Sequence, residues 1–161
     1  MVTTTHTRPA PALTTNETRV QHWLHDPTYQ AFWLLRIGFF LAPVLFGIDK
    51  YFNWMTYWPR YLWIGFPHFL SVSPQHFMYA VGAVEIAAGV LVLLIPRYAA
   101  YVVAAWLAGI ITNLVIISAA PGHVVYWDIA LRDFGLLIGA LALARLAAAF
   151  HHRPIRPITN D

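Results

Sequence analysis

Charged side chains within the long apolar stretches of the chain are the first candidates for chemistry. They are Arg36, Glu85, Arg132 and Asp133, and Asn113 is the strongest uncharged polar group in the same stretches. Such charges are costly inside a membrane and usually face the interior of a helix bundle. A carboxylate can exchange a proton and a guanidinium can bind an anion, so this combination favours a polar intramembrane site.

The composition places these side chains in a lipid bilayer. Of 161 residues, 59% are hydrophobic and only 11% are charged, against about 25% charged in ordinary globular domains. A soluble fold of this size could not bury so much apolar surface, which excludes a soluble enzyme. The basic residues are scattered singly, so we expect no nucleic-acid partner. Because cysteine is absent, disulfides, iron–sulfur clusters and thiolate metal sites are excluded.

Four apolar runs predict four transmembrane helices, because each is close to the ~20 residues that cross a bilayer as a helix. The predicted spans cover residues 31–48, 77–95, 99–120 and 129–150. The connections after the second and third spans are short, so consecutive helices there must be antiparallel neighbours. The sequence therefore predicts an all-α fold, a bundle of four transmembrane helices.

The distribution of Lys and Arg predicts the orientation of this bundle. Arginines on the side of the termini are Arg8, Arg19, Arg97, Arg153 and Arg156, whereas the other side has Lys50 and Arg60. By the positive-inside rule, both termini are expected in the cytoplasm of a prokaryotic cell and the connections 49–76 and 121–127 outside. We expect a disordered tail over 1–19, a membrane domain over 20–150 and a short basic tail over 151–161.

The long outer connection is rich in aromatic residues and is interrupted by Pro59, Pro67 and Pro74. Its simplest interpretation is an aromatic belt that lies on the membrane surface. The alternatives are a lid over a cavity and a surface that docks on a partner.

Helical geometry places several polar groups in the outer half of the bundle. Glu85, Asn113 and Arg132 each lie within about 12 Å of the outer end of their helix, at 1.5 Å per residue. Small residues on the same faces, such as Gly135 and Gly139, predict close helix contacts that turn these groups inward. Glu85 and Arg132 are the preferred pair, since a guanidinium can fork onto a carboxylate. The alternative is a purely structural pair that fixes the helix register.

The remaining polar residues have simpler interpretations. Arg36 lies near the cytoplasmic end of its helix, where its side chain can snorkel to the surface. Asp128 precedes the last span, where a carboxylate stabilises a helix start, and Pro43 should bend the first helix. The histidines lie in the tails and outer connections without HxxxH or HExxH spacing, so we predict no metal site.

Three stretches resemble the DoxX-like family of small four-helix integral membrane proteins. They are residues 32–52 with Arg36, Asp49 and Lys50, residues 82–94 with Glu85, and residues 132–144 with Arg132 and Asp133. The resemblance implies a four-helix membrane bundle linked to redox metabolism, since the family is named after a subunit of a thiosulfate:quinone oxidoreductase. It also implies that these six side chains form the site.

These observations lead to one hypothesis and one alternative. The hypothesis is a membrane subunit of a respiratory or sulfur-linked redox complex, with an outward-facing pocket that binds a quinone head or a small anion. Glu85 would exchange a proton and Arg132 would bind negative charge, while electrons would come from a bound cofactor or a partner subunit. Further substrate-binding candidates are Asp49, Lys50, Asn113, Asp128 and Asp133. The alternative is a non-catalytic accessory subunit that stabilises a larger membrane assembly.

Overall fold

The computed structural model describes residues 26–63, 65–122 and 124–151. Its helices are α1 (Pro27–Phe52), α2 (Gly65–Phe69), α3 (Pro74–Leu94), α4 (Pro96–Ala119) and α5 (Trp127–His151), with a 3₁₀ turn at Trp58–Tyr61. No strand occurs in these residues, and α1, α3, α4 and α5 are each long and apolar enough to cross a membrane. The prediction of an all-helical chain with four such helices is confirmed. The tail predicted over 1–19, and residues 152–161 of the other tail, lie outside the described residues.

The first long helix extends further than its apolar run. It begins after Asp26, whose carboxylate accepts a hydrogen bond from the backbone N–H of Thr28 at 2.8 Å. It ends at Asn53, which is in the left-handed region with φ of 52°. The sequence placed Asp49 and Lys50 in the outer connection, and this was wrong, because both belong to the last turns of α1. The helix continues through Pro43, so the bend expected there stays a prediction.

The starts of the later helices follow local sequence signals. The Ser73 hydroxyl accepts a hydrogen bond from the backbone N–H of His76 at 3.2 Å and caps α3. Pro96 opens α4 directly after Ile95, and Asp128 lies in the first turn of α5. Capping and proline effects act within one turn, so they could be predicted without knowledge of the tertiary structure.

Two antiparallel helix pairs form the bundle. The most extensive contacts join α1 to α3 and α4 to α5, whereas α3 with α4 and α1 with α5 contact each other less. We call the end where α1 begins and α5 finishes the terminal end, and the opposite end the loop end. A cluster of short apolar side chains fills the terminal half, with Ala100 and Ala104 of α4 packed against Ala140 and Ala144 of α5. Residues of the loop half surround a cavity instead.

Backbones approach most closely between α1 and α3. A Cβ atom added to Gly47 would lie 2.7 Å from the Gly82 carbonyl oxygen, and one added to Gly82 would lie 2.6 Å from the Gly47 carbonyl oxygen. The close contact predicted at Gly135 and Gly139 was wrong for Gly135, whereas at Gly139 a side chain of α1 makes a close contact in place of a backbone. No atom lies within 4 Å of a Cβ added to Gly135, and Gly139 meets only the ring of Phe39 at 3.2 Å.

Arg36 caps a neighbouring helix. Its guanidinium donates hydrogen bonds to the Leu93 carbonyl oxygen in the last turn of α3, one of them from Nε at 3.1 Å. The same group lies 4.8 Å from the centre of the Trp33 ring. A cation at a helix C-terminus satisfies carbonyl groups that have no partner within the helix. Arg36 therefore binds within the bundle, and the expected snorkelling to the surface is not what the structure shows.

Candidate functional site

A buried ion pair joins the loop-end halves of α1 and α3. Lys50 Nζ donates a hydrogen bond to Glu85 Oε2 at 2.6 Å, and the two side chains are only 5% and 10% exposed. Lys50 lies three residues after Gly47, and Glu85 lies three residues after Gly82. The close glycine contact therefore brings the two charged side chains within hydrogen-bond distance.

The connection after α1 is held over this ion pair by Asp49 and Trp58. The Trp58 ring centre lies 3.8 Å from Lys50 Nζ, and its indole N–H donates to Asp49 Oδ2 at 2.7 Å. Asp49 is buried, and its other oxygen accepts hydrogen bonds from the backbone N–H groups of Trp54 and Met55, each at 3.0 Å. The carboxylate of Asp49 thus fixes the first part of the connection.

Asn113 fastens the same connection to α4. Its amide nitrogen donates to the Tyr61 carbonyl oxygen at 2.6 Å, and its amide oxygen accepts from the Trp63 N–H at 3.0 Å. The ring of Tyr126, just before α5, packs against Tyr61 with 5.1 Å between ring centres. These contacts hold the connection across the loop end of the bundle.

A cavity of about 920 Å³ lies between the four long helices and beneath this connection. Its volume falls within the range of roughly 300–1,000 Å³ that is typical of small-molecule sites. Most of the wall is apolar, and the polar side chains that line it are Lys50, Thr56, Trp58, Tyr61, Glu85, Trp106, Asn113, Arg132 and Asp133. Three of these belong to the connection after α1, so that segment forms part of the cavity wall, and the choice between a membrane-surface belt, a lid and a docking surface stays a prediction.

The last helix contributes an arginine and an aspartate to the cavity wall. Arg132 Nε lies 3.4 Å from Asp133 Oδ1, and the Arg132 side chain is 66% exposed whereas that of Asp133 is 10% exposed. Asp133 interacts electrostatically with both members of the Lys50–Glu85 pair. The predicted Glu85–Arg132 pair was wrong, because Lys50 occupies the position next to Glu85.

Most of the candidate residues from the sequence meet at this cavity. It gathers Lys50, Glu85, Asn113, Arg132 and Asp133. Asp49 holds the covering segment instead of lining the cavity, and Asp128 is exposed at the start of α5. Within 26–63, 65–122 and 124–151, no three His, Asp or Glu side chains are grouped so that they could hold a metal ion.

Comparisons with protein-family models, curated proteins and solved structures find no significant match. The resemblance to DoxX-like proteins therefore stays a prediction made from the residues. The chemistry of the site has to be argued from its geometry.

Trp106 is a cavity residue that the sequence analysis missed. Its indole N–H is buried near the Glu85 carboxylate, yet no acceptor in the described part of the chain receives its hydrogen bond in good geometry. A buried donor without an acceptor is costly, and such groups are rare in folded proteins. Since Trp106 also lines the cavity, a ligand oxygen could satisfy this donor.

Replacement of Asp49 tests whether this residue holds the cover in place. In Asp49→Ala, three N–H donors lose their acceptor, and we expect the free energy of unfolding to fall by about 2–4 kcal/mol. Limited proteolysis in detergent should cut the connection 53–63 faster than in the wild type. Asp128→Ala is the control, because it removes an exposed carboxylate and should leave the cleavage rate unchanged. Equal protection of the connection in Asp49→Ala and the wild type would contradict this role.

Proposed function

We propose that the chain is an integral membrane subunit of a quinone-linked redox complex and that the cavity binds the quinone. The observation that carries this proposal is the buried Lys50–Glu85 pair at the polar end of an otherwise largely apolar cavity. A quinone needs apolar walls for its ring and hydrogen-bond donors for its carbonyl oxygens. The cavity supplies both. The Trp106 N–H has no acceptor in good geometry among the described residues, and the Lys50 ammonium has further N–H groups besides the one bound to Glu85.

The same geometry suits the proton chemistry of a quinone. Reduction to the hydroquinone takes up two electrons and two protons, and oxidation releases them. Glu85 lies where it could accept or supply one of these protons, and Lys50 would stabilise negative charge on a ring oxygen. The electrons would come from a partner subunit or from a cofactor that the partner carries.

The cavity favours a quinone over a small anion. The charge of Lys50 is balanced by Glu85, and the charge of Arg132 is balanced by Asp133 at 3.4 Å. A wall without net charge gives an anion no electrostatic attraction, whereas a neutral ring needs none.

Binding can be measured by quenching of the tryptophans that line the cavity. Decylubiquinone titrated into the protein in lipid nanodiscs should quench Trp58 and Trp106 saturably. Trp106→Phe keeps an aromatic ring but removes the donor, so we expect about tenfold weaker binding, the value of one hydrogen bond. Trp127→Phe, at the exposed start of α5, is the matched control and should bind as the wild type does. Equal affinity in Trp106→Phe and the wild type would contradict the assigned donor.

The role of Glu85 is tested separately by turnover of the complex. Glu85→Gln keeps the shape of the side chain and can still accept a hydrogen bond from Lys50, but it cannot exchange a proton. We expect quinone reduction by the purified complex to fall by about 10²-fold or more while the complex stays assembled. Full activity in Glu85→Gln would remove the carboxylate from the mechanism.

A second candidate function, an accessory subunit, is favoured by the outer surface of the connection. Its large apolar side chains Trp54, Met55, Phe69 and Leu70 are exposed. Exposed large apolar side chains commonly bind a protein partner or the membrane interface. If the accessory role is the whole function, Trp54→Ala together with Phe69→Ala should release the other subunits on purification, and Trp106→Phe should have no effect on any activity of the complex.

A further inference from the structure

We propose that the ligand enters the cavity sideways from the bilayer, between α1 and α5, and that its apolar tail remains in this gap. The inference rests on the proposed function and adds the class of ligand. The ligand is a lipid with a long tail and a ring head, as opposed to a compact molecule that arrives from water.

The two helices meet at the terminal end of the bundle. The Phe150 ring on α5 packs against Tyr29 and Phe32 on α1, with ring centres 5.9 Å and 5.2 Å apart. Further along, the Phe39 ring fills the space beside Gly139. Residues of both helices line the cavity, those of α1 on both sides of this level and those of α5 on its loop-end side, so the gap between α1 and α5 opens into it.

The exposure of the lining residues locates the opening. A side chain that lines an internal cavity and is also exposed on the outside marks the rim of an entrance. On α3, the lining residues are all buried or half-buried. On α1 and α5, by contrast, Leu34 is 73% exposed, Leu136 is 41% exposed, and Gly38 and Arg132 are exposed as well. On α4, Gly109 alone among the lining residues is exposed.

The connection after α1 covers much of the loop end. Met55 in this connection also lines the cavity and is 68% exposed, whereas the other exposed lining residues lie on the side of the bundle. Trp58, Tyr61 and Leu62 line the cavity from above, and Asn113 ties that segment to α4 by two hydrogen bonds. The gap lies between two helices that are able to span a membrane, so it faces hydrocarbon and not water. A ligand that uses it must already be dissolved in the bilayer.

The size and chemistry of the gap suit a hydrocarbon tail. Its α1 wall runs from Leu34 to Phe46, which is about 18 Å at 1.5 Å per residue. Leu34, Gly38 and Leu136 are apolar, whereas the polar groups lie at the loop end near Lys50 and Glu85. A ring head at the ion pair would therefore leave its tail between α1 and α5.

Gly38 offers a direct way to block this route. No atom lies within 4 Å of a Cβ added to Gly38, Gly109 or Gly135, so the backbone at each position can accept the first carbon of a side chain without a clash. Gly38 lines the cavity at the proposed entrance, Gly109 lines it from α4, and Gly135 does not line it. Gly38→Trp is the variant expected to block the entrance. Gly38→Leu introduces a smaller side chain and serves as a second blocking variant if Gly38→Trp fails to fold. Gly135→Trp is the matched control.

The test compares two quinones with the same ring, one with a decyl tail and one without a tail, by stopped-flow quenching in nanodiscs. Gly38→Trp should slow binding of the tailed quinone by about tenfold or more, with a smaller effect in Gly38→Leu and none in Gly135→Trp. Binding of the tailless quinone should be slowed less, because a bare ring passes a narrowed gap more easily than a ring with a decyl tail. The entry route between α1 and α5 would be overturned if both Gly38 variants bound the tailed quinone at the wild-type rate, or if only Gly109→Trp slowed binding. Either result would leave the proposed function standing. Absence of saturable quenching by either quinone in the wild type would overturn the proposed function itself.

Discussion

Lys50→Met is expected to lower the free energy of unfolding by about 3–5 kcal/mol. The substitution leaves the Glu85 carboxylate buried, at 10% exposure, without the ammonium group that lies 2.6 Å from it. Removal of one partner from a buried ion pair is costly because the remaining charge loses its compensation. The measurement is chemical unfolding in detergent micelles, followed by tryptophan fluorescence.

Two further variants show whether this effect belongs to the pair. In the double variant Lys50→Met with Glu85→Leu no charge is left uncompensated, so we expect most of the stability to return. Arg132→Met removes the cation that the sequence favoured as the partner of Glu85. Its side chain is 66% exposed and 3.4 Å from Asp133, so we expect a loss of only about 1 kcal/mol or less. An equal loss in Lys50→Met and Arg132→Met would contradict the observed pairing.

Gly82→Val is expected to lower the free energy of unfolding by about 3 kcal/mol. Even the first carbon of the new side chain would lie 2.6 Å from the Gly47 carbonyl oxygen, so α1 and α3 must separate. The separation also pulls Lys50 away from Glu85, because the glycine contact holds these helices together one turn from the ion pair. Quinone affinity should therefore fall along with stability.

The control for this substitution is Gly135→Ala. Since nothing lies within 4 Å of a Cβ at Gly135, alanine should be neutral or should raise the free energy of unfolding by up to about 1 kcal/mol through its higher helix propensity. Gly82→Ala is the milder version of the test at the contact itself. If Gly82→Ala and Gly135→Ala were equally stable, the close approach of α1 and α3 would be refuted.

The four long helices could be predicted because the necessary information is local. The length of an apolar run is set by bilayer thickness, and the caps at Ser73 and Pro96 act within a single turn. The end of α1 was placed four residues too early because Asp49 and Lys50 were taken as a polar connection. Their charges are satisfied by Trp58 and Glu85, and only the tertiary structure reveals such partners.

The partner of Glu85 could not be predicted for a related reason. Position along a helix gives the depth of a residue, but it does not give the rotation of the helix relative to its neighbours. Arg132 has a suitable depth, yet Lys50 reaches Glu85 first because single glycines on α1 and α3 allow close approach. Gly82 and Gly89 lie on one face of α3, and this spacing indicates a close contact there but does not identify α1 as the partner. The Gly135 and Gly139 motif, in contrast, has the right spacing but faces no backbone.

Trp58 and Trp106 were missed because nothing in the sequence distinguishes them from the other tryptophans of the chain. Tryptophan is expected in membrane proteins as an interface anchor. Trp58 and Trp106 differ from the other tryptophans in their structural environment. Trp58 covers Lys50 and donates to Asp49, whereas Trp106 has a buried N–H without an acceptor at the cavity wall.

The central claim is that the cavity beside Lys50 and Glu85 holds a quinone. The most direct test is gentle purification from the native membrane, followed by native mass spectrometry of the wild type and of the Lys50→Met with Glu85→Leu double variant. The account predicts a quinone bound to the wild-type chain and its loss from the double variant, which should remain folded. A wild-type chain that carries no quinone, or a double variant that retains as much as the wild type, would contradict the claim.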